Sequence, residues 1–202
     1  MLKENLSPKQ ILVDLSSVQC QLKDLFSDDN RYNSIIDFLS AKDYYNDPDV
    51  PYPTMKEVEK DTGLSASQLR KKLLEMYERI FDFENDEGLR FSKTQYTFYL
   101  KHYELHSQFV VSKLPHVPRA GEQILLPFAK AKMGTEYFYV DKIVHYLEND
   151  IQNTVIWLKG GFYNSYWQIR KDEALLKREL TIDDTHKLMD FELKDKLGLS
   201  KY

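Results

Sequence analysis

A chain of 202 residues can bury roughly 70% of its unfolded surface, and with 42% hydrophobic and 30% charged residues it reads as a soluble globular protein, neither disordered nor membrane-embedded. Its net charge of -4 means that any hold on nucleic acid must come from a local basic patch and not from bulk charge. The single cysteine, Cys20, excludes an intramolecular disulfide, a cysteine-built zinc site and a cysteine-ligated iron-sulfur cluster, and reads as a small core residue.

The chain opens on MLKENLSPKQ, with charges of both signs, then Pro8 and no apolar run, so neither export nor organelle import is expected and a cytoplasmic place is. No run reaches the length of a bilayer span, and no membrane partner is expected. Residues 9–26 set Ile11, Leu12, Leu15, Val18, Leu22 and Leu25 at helical spacing behind Ser7 and Pro8, which predicts a first helix. Residues 31–45 repeat the pattern with Tyr32, Ile35, Ile36, Leu39 and Tyr44, after Asp28, Asp29 and Asn30 as cap candidates. The stretch Asn46 to Pro53 carries three prolines, which lock φ and remove donors, so it is expected to be a rigid loop.

From Thr54 the sequence predicts a short helix, a turn through Gly63 and a longer helix that starts with the capping box Ser65-x-x-Gln68. Phe81 and Phe83 then face Leu89 and Phe91 across Asn85, Asp86, Glu87 and Gly88, the pattern of a β-hairpin. With Val58 and Leu64 at its apolar positions, Gly63 in the turn and Leu69 anchoring the second helix, the stretch 54–92 resembles the winged helix-turn-helix DNA-binding proteins. Glu59 departs from that pattern, standing where the family usually has a small residue.

The resemblance implies duplex DNA as partner, read by the exposed face of the second helix. On that face Ser67, Gln68, Arg70, Lys71 and Lys72 are the candidate DNA-binding residues, because such side chains reach base edges and phosphates. Charge tempers the expectation. Between Thr54 and Ile80 six positive residues (Lys56, Lys60, Arg70, Lys71, Lys72, Arg79) meet five negative ones (Glu57, Glu59, Asp61, Glu75, Glu78), and Glu84, Asp86 and Glu87 make the wing acidic.

Beyond Thr94, Ser92 and Gln95 could cap a helix, but the Tyr, Phe, Val and Thr content favours strands, which are expected over 94–114. A turn at Gly121 precedes a strand, and EYFYVDKIVHYL, TVIWLKGG and FYNSYWQI follow as further strands, pointing to a small barrel or sheet. Residues 171–197 return to helical patterning, with a Thr181-x-x-Asp184 cap before a charged terminal helix. The whole is expected to be α+β: a helical, winged-helix-like domain over 1–93, then a β-rich domain with a C-terminal helix over 94–202.

No catalytic arrangement emerges. The seven glycines form neither a G-x-G nor a P-loop pattern, so no nucleotide-cofactor fingerprint is present, and no G-x-S-x-G occurs. His102, Glu104 and His106 would share a strand face as metal ligands, but the expected reading is a solvated pair of histidines. Trp157 to Trp167, with Lys159, Arg170 and Lys171 nearby, could grip single-stranded nucleic acid or a sugar. The expected reading is instead that Trp157, Phe162, Tyr166 and Ile169 fill a core. The chain is thus expected to be a DNA-binding regulator of transcription or of mobile elements, not an enzyme, without cofactor or metal. The alternative is a protein-interaction or structural module, meeting its partner through the β-rich domain.

Overall fold

The computed structural model describes residues 6–82, 84 and 88–199 of the chain. It is α+β and divides into two compact units, Met1–Gln95 with His145–Asn153, and Tyr96–Val144 with Thr154–Tyr202.

The first unit is built on five helices: α1 Pro8–Ser16, α2 Gln19–Leu25, α3 Asn33–Ser40, α4 Met55–Thr62 and α5 Ala66–Ile80. The single helix expected over 9–26 is broken at Ser17 and Val18. The Ser16 and Ser17 hydroxyls donate back to Val13 O and Asp14 O, at 2.6 and 2.7 Å, offering those carbonyls an alternative to the helical ladder. Leu12 and Leu15 of α1, Leu22 of α2, Ile35 and Leu39 of α3, Val58 of α4 and Leu69, Leu73 and Met76 of α5 form one fully buried cluster. Each contributes about 1.5–3 kcal/mol by leaving water. Cys20 is not part of it. The thiol is exposed, and the neighbouring Gln21 is turned inward instead.

Gln21 has a structural role that the apolar pattern conceals. Its amide donates to Arg90 O at 2.9 Å and to Asn149 O. Asn149, with φ 48°, sits at the tip of a distant hairpin and donates its own N–H to Ser17 O at 2.7 Å. The expected wing is corrected at the same place. Phe81, Leu89 and Phe91 are not in strands, while Phe83, Asn85, Asp86 and Glu87 lie outside the described residues. The Arg90 carbonyl goes to Gln21, and the Ser92 N–H donates to Asp150 Oδ1 at 2.9 Å, so side chains take the groups a hairpin ladder would need.

The second unit is built around an open five-stranded sheet of order β2-β1-β5-β4-β3, with β1 Lys93–His102, β2 Leu105–Val111, β3 Gln123–Leu125, β4 Tyr137–Glu148 and β5 Ile151–Gly160. The order has two ends, so among the described residues the sheet is not closed into a barrel. Residues 94–114 form the antiparallel β1–β2 pair, with Phe98 opposite Phe109 and their rings stacked at 5.0 Å. The central neighbours β1 and β5 run in the same direction: Lys93 N–H donates to Asp150 O where they start, and the His102 ring lies against Gly160 where they end. Phe98, Leu100, Phe138, Val140, Ile156 and Leu158 pack one face of the sheet with Met133, from the short helix α6 Lys130–Met133.

The strand expected at FYNSYWQI is a helix, α7 Ser165–Leu176. Asn164 caps it, its side chain accepting from Trp167 N–H at 2.9 Å, and helical periodicity then replaces alternation. Trp167 and Ala174 turn inward onto Leu180 and Leu193. Phe162, Tyr166 and Ile169, expected in the core, are 73%, 67% and 69% exposed, and Trp157 is half-buried against Tyr99. The chain closes with α8 Ile182–Lys187, which the Thr181–Asp184 capping box opens as expected, and α9 Asp190–Lys196.

Candidate nucleic-acid interface

The helix-turn-helix stretch is built by two reciprocal caps. At α4, Glu57 N–H donates to Thr54 Oγ1 at 3.3 Å, while Thr54 N–H at 2.7 Å and the Thr54 hydroxyl at 2.8 Å donate to the Glu57 carboxylate and hold it below its ordinary range. Gly63 ends α4 at φ 69°, in the left-handed region where a Cβ would be strained, and donates to Glu59 O at 3.0 Å. Two residues later Ser65 opens α5. Leu69, Leu73 and Met76 bind α5 to the core, so its opposite face is set outward.

Each of the five candidates has a distinct place on α5. Ser67, Arg70 and Lys71 are exposed, and Arg70 forms no ion pair among the described residues. Lys71 reaches Glu75 at 3.8 Å with its own side chain 79% exposed, a contact worth only about 0–1 kcal/mol. Gln68 is spent in part on the cap: its Oε1 accepts from Ser65 N–H at 3.0 Å and from Ser65 Oγ at 2.9 Å. A glutamine reads adenine with both ends of the amide, so Gln68 as placed offers only its NH2 end. Lys72 turns back into its own unit, donating to Arg31 O with its ammonium 5.3 Å from the Tyr32 ring centroid.

That inward contact reveals a cluster which spacing along one helix could not show. The Tyr32 hydroxyl donates to Glu75 at 2.9 Å, and burial followed by this carboxylate pushes the phenol up. Arg31 forks onto Asp29 with bonds of 2.8 and 2.6 Å, and this holds the Asp29 carboxyl down to about 2. Glu75 is thereby offset by Tyr32 and Lys71, whereas Glu78 stays exposed one turn further on.

The other candidates do not converge. His102 and His106 are not on one strand face with Glu104: Tyr103 and Glu104 form the β1–β2 turn, and His102 Nδ1 is 2.7 Å from Met133 O. Among the described residues no group of three or more His, Cys, Asp or Glu is placed to hold a metal, and no helix is long and apolar enough to cross a membrane. Compared with known proteins, the chain matches no family model, no curated protein and no solved structure.

Proposed function

We propose that the first unit binds duplex DNA through the N-terminal half of α5, as a regulator of transcription or of mobile elements in the cytoplasm and without a catalytic role. One observation supports this reading above the others. A capped helix, held by its buried face and entered through a left-handed glycine, presents Ser67, Arg70 and Lys71 together to solvent. Arg70 supplies a planar fork for a phosphate or a guanine, Lys71 a point charge and Ser67 a hydroxyl. Gln68 and Lys72 set the geometry of that surface more than they extend it.

The reading is tested by fluorescence anisotropy of a labelled duplex at low and at physiological salt. The R70A/K71A double variant should lose about tenfold or more in affinity, and the slope of log K against log salt should fall by about 2, near one unit per phosphate contact removed. Unchanged affinity and slope, in a protein that melts as the wild type does, would overturn it. A second reading, a protein-interaction module, draws on the outward face of α7. There Tyr166, Ile169 and Leu176 follow one another at helical spacing, all exposed, and Phe162, just before the helix, is exposed too. Duplex binding that is absent at every salt concentration would favour it.

A further inference from the structure

We propose that the second unit binds a free mononucleotide in a cleft above the carboxyl ends of β1 and β5. Parallel neighbours that stop together leave a crevice where their chains diverge, and ligands of open sheets collect there. β1 stops at His102 and β5 at Gly160, and the next residues, Tyr103 at φ 51° and Gly161 at φ 110°, both leave the sheet in left-handed backbone. Above them lies a cleft of about 360 Å³, walled on its far side by Thr185, the Leu188–Phe191 segment and Lys194. That volume lies within the range of small-molecule sites, roughly 300–1,000 Å³.

The lining chooses the ligand. Three lysines line the cleft, Lys101, Lys159 and Lys194. Lys159 is committed to Asp141 at 3.0 Å, whereas Lys101 has no ion pair among the described residues and Lys194 is placed, without being neutralised, 5.2 Å from the Trp167 ring centroid. Lys101 and Lys194 therefore remain for an anion. Tyr103 and Phe191, 65% and 55% exposed, set aromatic rings at the cleft for a planar group to stack on. Asp190 forms no ion pair among the described residues and is an acceptor suited to ribose hydroxyls or an exocyclic amine. A simple dianion would leave the rings and Asp190 unused, and a neutral nucleoside would leave both lysines unused. A nucleoside monophosphate uses all of them, and the volume suits one such unit better than a strand.

The test is calorimetric titration of the full chain with AMP, GMP, CMP and UMP, and with adenosine, inorganic phosphate and a short single-stranded oligonucleotide, joined to amide chemical-shift mapping. At least one monophosphate should bind saturably and more tightly than phosphate or adenosine, with shifts centred on Tyr103, Gly160 and Phe191. The K101A/K194A variant should weaken it about tenfold or more. If that variant does not melt as the wild type, F191A takes its place and should weaken the monophosphate while leaving phosphate unchanged. The proposal is overturned if no monophosphate binds, if phosphate alone binds as well, if the shifts fall elsewhere, if the folded variants bind as the wild type does, or if the oligonucleotide binds more tightly than its monomer.

Discussion

A Cβ added at Gly160 would lie 2.7 Å from Cγ of His102, so the histidine can keep its place against β5 only because this residue has no side chain. Gly160→Ala should push the ring away from Met133 O and cost about 1–3 kcal/mol, read as a lower urea midpoint at unchanged slope. Gln21 shows the opposite economy, since it is a polar side chain only 2% exposed among leucines. Gln21→Ala removes the donor from the carbonyls of both Arg90 and Asn149, and the expected loss is about 1–3 kcal/mol. A Gln21→Leu variant that melts as the wild type does would show that those carbonyls find water instead.

The helices most legible in the sequence are those in which capping chemistry and apolar spacing agree. α5 follows from Ser65, Gln68, Leu69, Leu73 and Met76, and Leu73→Ala should cost about 2–5 kcal/mol in a denaturant titration because no neighbouring side chain can fill the space without moving. At the candidate interface, the exposure of Ser67, Arg70 and Lys71 can be read from the same stripe, but the diversion of Gln68 and Lys72 cannot. Those contacts depend on a cap oxygen and on the turn that leads into α3, and neither leaves a mark in a one-helix pattern. α7 is hidden because its aromatic residues favour strands by propensity, and the one cue against that, Asn164 as a cap, is a single side chain. α8 supplies an acid-sensitive element. Lys196 foremost, then the Thr181 cap, holds the Asp184 carboxyl down to about 2 from an ordinary 3.8. A carboxyl lowered on folding adds stability that is full above its ordinary value and is lost as the pH falls through the folded one. Far-UV circular dichroism of wild type against D184N should therefore differ most above about pH 4 and converge toward pH 2.

In the molecule as a whole, the first unit borrows residues 145–153 from the far end of the β4–β5 hairpin, which is why a boundary drawn at 93 and 94 by composition cannot isolate it. A fragment ending at Gln95 leaves Gln21 and Ser17 without their partners on Asn149. Amides from Ser17 to Leu25 in that fragment should exchange with solvent faster than in the full chain, by about tenfold or more for each unmatched buried group. Equal protection would show that the hairpin tip is dispensable to the helices. The parallel course of β1 and β5 has a consequence for how the protein is made. Ser92 and Asp150, bonded to each other at the feet of the two strands, stand 58 positions apart in the chain, so on the ribosome β1 emerges well before the strand that covers its inner edge. At roughly 5–20 residues per second, that edge waits several seconds with only β2 beside it. During synthesis it is an open template for another nascent chain, and the protein's yield in the cell should be governed by how quickly β5 arrives.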